Sequence, residues 1–277
     1  MIRVVTDSSC DLPPEVVADL RVSVVPLTIR FGDDEFVDGI ELGVAEFWER
    51  VEESDSLPET ATPSVGRFRE TYRSLVSEGA DGIVVVCISE KMSATAQSAR
   101  MAAEQVTAGV PITVIDSGTV TMALGFAVMA AAERAKTGGG FEAVEAAARD
   151  AAGRSHLFAV LDTLDHLRRG GRIGGAQALI GDVLKVKPLI TIEDGEVQAA
   201  GRTRTRKRAV AAILDHIEEL EGRIDRLGVI HSGSSGLDTV VARVAEATGA
   251  DPIVSRLGPV VGTHAGPGVL GVVALLR

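Results

Sequence analysis

The chain has 277 residues, with 28 Lys plus Arg against 39 Asp plus Glu and a formal charge of −11; 45% of residues are apolar, 24% charged and 3% aromatic. That composition supplies a core and excludes a predominantly disordered chain. The acidic balance works against general binding of nucleic acid or an anionic membrane.

In the first half, short β-branched runs alternate with helical patterns. Ile2–Val5 and Val22–Leu27 read as strands, and Val65, Phe68, Tyr72, Leu75 and Val76 share one helix face. Ile83–Cys87 and Ile112–Ile115 are further strands, with a helix over Ser93–Val106 between them. The segment Val120–Ala135 is apolar nearly all round, which predicts a buried helix. Strands separated by helices of this length indicate βαβ units and a parallel sheet. Gly138-Gly139-Gly140 breaks the pattern, and an Ala-rich helix follows to about Arg154.

Beyond residue 155 the order changes. Leu157–Leu161 reads as a strand, and Pro188–Ile192 with Val197–Ala199 reads as a hairpin around Asp194-Gly195. An amphipathic helix carries Val210, Ile213, Leu214, Ile217 and Leu220, and a second spans Asp238–Thr248. Leu227–His231, Ile253–Leu257 and Val269–Leu276 complete the strands. The expectation is two α/β domains, 1–155 with a mostly parallel sheet and flanking helices, and 156–277 with a mixed sheet and helices.

The start of the chain, Met1–Asp7, meets an acid before an apolar secretion signal could form, and the longest apolar stretch, 119–132, is 14 residues. Neither a secretory signal nor a membrane span is therefore expected, and the cytoplasm is the expected location. Cys10 and Cys87 have no paired-cysteine spacing, and the five histidines have no ligand spacing, so no metal is expected. Gly266-Pro-Gly268-Val-Leu-Gly271 fits a dinucleotide pattern only in letters, since it precedes a closing strand rather than a helix. Thr6-Asp7-Ser8-Ser9 follows a strand like a phosphatase nucleophile, but the second carboxylate is replaced by Ser9.

Four small polar segments remain: Thr60-Ala-Thr62-Pro-Ser64, Ser89…Ser93-Ala-Thr95, Asp116-Ser117-Gly118 and Gly262-Thr-His264-Ala-Gly266. Hydroxyls at strand ends beside helix N-termini suit an anion, although each alone is also an ordinary cap. A basic run, Arg202-Thr-Arg204-Thr-Arg206-Lys-Arg208, stands out in an acidic chain. Thr205 reads as an N-cap, which sets three cations in a first helical turn against the dipole.

Taken in order, Thr6-Asp-Ser-Ser9 with Asp11-Leu-Pro13, Thr60…Pro63-Ser64, Ser93-Ala-Thr95…Gln97-Ser98-Ala99 and Asp116-Ser117 resemble the DegV family of fatty-acid-binding proteins. So do Leu164…Leu167…Gly170-Gly-Arg172-Ile173, Lys187-Pro188, Arg204-Thr-Arg206-Lys207 and Gly262-Thr-His264. The resemblance implies a long-chain fatty acid such as palmitate buried between the two domains, and no cofactor. It places Thr60 and Ser93 at the carboxylate, His264 and Arg172 in a polar network around it, and Thr62 and Ser117 as further support. It also implies a dihydroxyacetone-kinase-like fatty acid kinase as partner, with Arg202, Arg204 and Arg206 as a candidate docking surface; the oligomeric state is open, with a monomer as the default expectation. Two departures stand out. The family's usual Thr-Ser-Gln-Pro is Thr60-Ala-Thr62-Pro63 here, and its Ser-Gly-Thr is Ser93-Ala94-Thr95.

A carrier that does no chemistry is the leading expectation. The rival is a hydrolase or transferase on an acyl or phosphorylated substrate, with Ser93 as nucleophile and His264 as base. A weaker third reading is nucleic-acid contact through Arg202–Arg208, which the overall charge opposes.

Overall fold

The β-branched run Ile2–Asp7 forms β1, and the chain then turns through a short 3-10 segment, Ser8–Cys10, into α1 (Pro14–Asp19). The computed structural model describes residues 1–54, 56–106, 109–180 and 186–277. Next come β2 (Ser23–Val25), β3 (Thr28–Phe31), β4 (Asp34–Val37), α2 (Val44–Glu53) and β5 (Glu59–Ala61). The βα alternation follows as α3 (Val65–Ser77), β6 (Gly82–Cys87), α4 (Thr95–Glu104), β7 (Ile112–Asp116), α5 (Thr121–Lys136) and α6 (Phe141–Arg154). The remainder is β8 (Ser155–Val160), α7 (Asp165–Arg169), a 3-10 segment (Gly174–Leu179), β9 (Lys187–Glu193), β10 (Glu196–Thr203), α8 (Arg206–Leu220) and β11 (Ile224–His231). The chain closes with α9 (Leu237–Thr248), β12 (Ile253–Arg256), α10 (Pro259–Ala265) and β13 (Leu270–Leu276).

The expected α/β class holds. β2-β1-β6-β7 form a four-stranded sheet, parallel throughout. The second half builds a six-stranded mixed sheet, β10-β9-β8-β13-β11-β12, in which β11 and β12 pair in parallel and the other neighbours antiparallel. A small antiparallel sheet, β4-β3-β5, goes beyond the expected pattern. Its first strand in the chain, β3, lies just past β2, and the expected Val22–Leu27 strand stops at Val25 because Pro26 has no N–H to continue a ladder. The hairpin around Asp194-Gly195 forms as expected, with Val197 opposite Ile192.

Period-two burial decides the layering. On the four-stranded sheet, Val5, Ile83 and Val85 face outward to Phe68 and Tyr72 of α3 and to Ala96 and Ala99 of α4. Val4, Val84 and Val86 face inward to α5. On β8, Leu157 and Ala159 join that same inner cluster, whereas Val160 faces outward to Ile213 and Ile217 of α8 and Val240 of α9. Helix α5 is buried around most of its circumference, with Met122, Leu124, Phe126 and Val128 all fully covered, because a sheet lies on either side of it. The order across the molecule is thus helices, parallel sheet, α5 with α6, mixed sheet, helices. A cavity opens in the middle layer, beside the N-terminal end of α5.

Candidate functional site

At that position the two halves enclose an apolar cavity. The mixed sheet contributes Leu157, Ala159, Ile190 and Ile230, the first half contributes Ile88 and Val120, and α10 contributes Val260 and Val261. Its volume, taken as the space open to the centre of a water molecule, is about 80 Å3. One water needs about 10–15 Å3 by that measure, so the cavity is several times larger than a packing defect.

At one end the lining turns polar. Thr60, Ser93, Arg172 and His264, which lie far apart in sequence, all reach the cavity wall. Thr60, Arg172 and His264 also line a polar vestibule of about 280 Å3 with Glu59, His166 and Arg169. These three side chains therefore separate an apolar interior from a polar mouth.

Each is held by local structure. Thr60 is the middle residue of β5, paired opposite Ile29, and its Oγ1 lies 2.9 Å from His264 Nε2. His264 is in the last turn of α10, a seven-residue helix that starts at Pro259. Burial is the first cause that pushes the imidazole down to about 4, and the nearby Arg172 and His166 add to it, so His264 is neutral at pH 7. Its Nδ1 is buried and has no hydrogen-bond partner among the described residues. Gly170, which ends α7, allows this: a Cβ there would lie inside contact distance of Nδ1 and 3.0 Å from Cε1. Arg172 spans the mouth, donating from Nε to Met92 O (3.0 Å) and from Nη1 to Gly170 O (2.6 Å). Ser93 precedes α4, and its Oγ lies 2.8 Å from Thr95 Oγ1.

The structure does not bring every candidate to the cavity. Thr62 is exposed, beyond the end of β5, and is absent from the lining. Ser117 is buried in its own turn, accepting from Thr119 N at 3.2 Å and donating to Thr119 O at 3.3 Å. Of the basic run, Arg202 and Arg204 are exposed, but Arg206 turns inward. It donates to Ser235 O (3.1 Å) and Gly268 O (2.6 Å), and Asp162 lies 3.8 Å away. Thr205 does cap α8, accepting from Arg208 N.

Two other readings meet the geometry. Among the described residues no hydrogen bond joins Ser93 to His264; their partners are Thr95 and Thr60. Asp7, which stands in a nucleophile-like position in the sequence, is fully buried, accepts from Ser9 N and Ile88 N, and is raised above its ordinary value chiefly by burial. It fastens β1 to the end of β6 rather than facing a substrate. Arg169 of the vestibule belongs to the basic segment Leu167-Arg-Arg169-Gly-Gly171-Arg172, which stands out in an acidic chain, whereas His166 beside it has no distinguishing spacing.

Comparison with known proteins finds relatives that match along the whole chain. A family model described as "Uncharacterised protein, DegV family" matches residues 1–277. A DegV domain-containing protein of Streptomyces coelicolor is 40% identical over 283 aligned positions, covering 100% of this chain and 99% of the relative. Among solved structures, a DegV family protein from Thermus thermophilus, described as fatty acid binding, is 33% identical with a TM-score of 0.87, covering 100% of this chain and 99% of that one. A fatty acid binding protein from Bacillus subtilis is 30% identical with a TM-score of 0.89, at the same coverage.

Proposed function

The chain belongs to the DegV family, and from that membership and the cavity geometry we propose that it is a carrier for a long-chain fatty acid. The observation that carries the reading is the polarity of the cavity: apolar along its length, with Thr60, Ser93, His264 and Arg172 gathered at one end. Structural neighbours described as fatty acid binding support it.

The physical chemistry of the site suits that ligand. Burying a methylene is favourable by about 0.8 kcal/mol, so a tail of about 15 contributes roughly 12 kcal/mol before the costs of association. The tail supplies affinity and the head group supplies orientation. A buried carboxylate needs hydrogen-bond donors, and hydroxyls provide them without an ion pair. With a cation among its neighbours, His264 is better served by a lone pair at Nδ1, which places its proton on Nε2 facing Thr60. Thr60 then accepts from the imidazole, and its own hydroxyl proton is free to point at the carboxylate. Ser93 supplies a second hydroxyl. Arg172 holds the rim in place and sets a positive field at the mouth.

In this reading the protein presents the acid to a fatty acid kinase of dihydroxyacetone-kinase-like fold, and acts as a cytoplasmic monomer with domains divided at 155/156. The basis for the partner is the resemblance stated above, together with the exposed Arg202 and Arg204. Hydrolysis or transfer is disfavoured because, among the described residues, no hydrogen bond joins Ser93 to His264.

Denaturing extraction of the purified protein, followed by mass spectrometry, tests the proposal. One equivalent of a long-chain fatty acid is expected. Protein that carries none and takes up neither palmitate nor oleate would overturn it.

A further inference from the structure

The loop that carries Ser93 is held from both halves of the chain, and one residue on it collects most of the bonds. Ser89 lies between β6 and α4 and is fully buried. Its backbone N–H donates to Thr119 O at 2.9 Å, in the turn ahead of α5. Its carbonyl accepts from Met92 N and from Ser93 N, each at 3.0 Å. Its hydroxyl accepts from Lys91 N at 3.3 Å, an ordinary local turn contact for serine. The remaining bond is not local: Ser89 Oγ donates to Gly195 O at 2.7 Å, across 106 positions of sequence.

Gly195 is the second residue of the turn between β9 and β10, where Asp194 and Gly195 have φ +49° and +79°. It is buried against the serine, and a Cβ there would lie 2.6 Å from Ser89 Oγ. Glycine is therefore required by the left-handed backbone and again by the close approach of the hydroxyl. The strands on either side of this turn belong to the cavity: Ile192 of β9 and Val197 of β10 stand opposite each other, and both line its wall. Met92 and Ser93 line it as well. The hairpin that walls the cavity thus grips, at its tip, the loop that brings Ser93 to the polar end. Arg172 adds a second bond from the same half of the chain, to Met92 O. The neighbouring pair of Lys91 with Glu196, 3.9 Å apart and exposed, contributes little to this grip.

We propose that Ser89 is a positioning residue for the head-group site: its hydroxyl ties the Ser93 loop to the β9–β10 turn, and this tie sets where the Ser93 hydroxyl stands against the carboxylate of a bound fatty acid. The inference rests on the carrier reading. Where the bonds of Ser89 lead separates it from a buried serine that is merely satisfied. Its carbonyl holds the amide of Ser93 itself, and its hydroxyl holds the opposite half of the chain.

Removing the hydroxyl takes the donor from Gly195 O and the acceptor from Lys91 N, while the backbone bonds of Ser89 to Thr119, Met92 and Ser93 stay. The loop then keeps its local shape and loses its placement against the hairpin. Thr60 and His264 are held by β5 and α10 and do not follow it. Hydrogen bonds weaken steeply with misalignment, and those to a charged group are the strong ones. The loss therefore falls on the carboxylate. Burial of the tail contributes the same to any ligand with that tail.

Palmitate and hexadecanol have tails of the same length and differ at the head group. Binding of both to the full chain should be measured by competition against a fluorescent fatty acid, in wild type, Ser89→Ala, Ser93→Ala and the double variant. Ser89→Ala should weaken palmitate about three- to tenfold and hexadecanol by less than about twofold. In the Ser93→Ala background the same change should weaken palmitate by less than about twofold, because the residue through which Ser89 acts is already gone. Equal losses for the two ligands, no loss for either, or losses that multiply in the double variant would overturn the assignment. If Ser89→Ala does not fold, Gly195→Ala tests the contact from the other side, since its methyl would displace the Ser89 hydroxyl. The same selective loss of palmitate is expected there, and an equal loss of both ligands, or none, overturns the assignment. Wild type that binds neither ligand would remove the carrier reading and this inference with it. Wild type that binds palmitate, with an unselective effect of Ser89→Ala, would remove the inference alone.

Discussion

Gly170→Ala separates the head-group site from the fold. Gly170 has φ −74° and ψ −7°, an ordinary helical conformation that alanine adopts without strain. On backbone grounds the change should stabilise the protein by about 0.4–1 kcal/mol, because alanine restricts the unfolded chain. The added methyl, however, would overlap His264 Nδ1 and lie 3.1 Å from His166 O. The backbone oxygen cannot move far, so the imidazole of His264 must turn. Turning it breaks the 2.9 Å contact to Thr60 and disturbs the hydroxyl that we assign to the carboxylate. A hydrogen bond to a charged group contributes about 1.5–3 kcal/mol, so fatty-acid affinity should fall roughly ten- to a hundredfold. The melting temperature should stay within a few degrees, since about 1 kcal/mol shifts a chain of this size by about 2–4 °C. Competition against a fluorescent fatty acid measures the first, thermal unfolding the second, and the histidine NMR resonances report the ring. Wild-type affinity with an unmoved His264 signal would refute the reasoning.

Thr60→Val and Ser93→Ala should each weaken retention of fatty acid about tenfold, because each removes one donor to the carboxylate; Ser93→Ala should leave the melting temperature nearly unchanged, whereas Thr60→Val strips the buried His264 Nε2 of its partner and should also cost about 1–3 kcal/mol of stability. Unaltered retention in both would remove the site assignment. Arg206→Ala should destabilise the protein by about 1–3 kcal/mol, since Ser235 O and Gly268 O lose their donor. Arg202→Ala and Arg204→Ala, both on the surface, should stay within about 0.5 kcal/mol in the same denaturant titrations. His264 is lowered from 6.5 to about 4, so its contribution to stability is complete above pH 6.5 and is lost as pH falls toward 4. Relative to His264→Gln, which does not titrate, wild type should lose about 2 kcal/mol between pH 7.5 and pH 5; a constant difference would contradict the neutral, buried imidazole.

The parts of this molecule that can be read from the sequence are those whose cause is local. Helix α5 announces itself because a helix covered by a sheet on each side must be apolar around its circumference, and Met122 to Val128 are. The β9–β10 turn announces itself through Asp194 and Gly195, both at positive φ. Helix α10 does not, for Val260, Val261, Gly262 and Thr263 are poor helix formers. Its shape comes from tertiary contacts: Trp48 Nε1 donates to Leu257 O at 3.0 Å just ahead of it, and Asp11 holds Gly258. The pairing of Thr60 with His264 spans 204 residues, and no local spacing encodes it. Only the family resemblance points there. Asp11 is harder still. In the sequence it stands in a run of turn-forming residues, where an acid ordinarily marks a solvated loop. What makes it consequential is burial among Asp7 and Asp38 and bonds to two distant walls, all created by the fold. The residue that first reads as loop chemistry is therefore the one that ties the turn after β1 to the starts of α5 and α10, and nothing in its local sequence separates it from an ordinary turn.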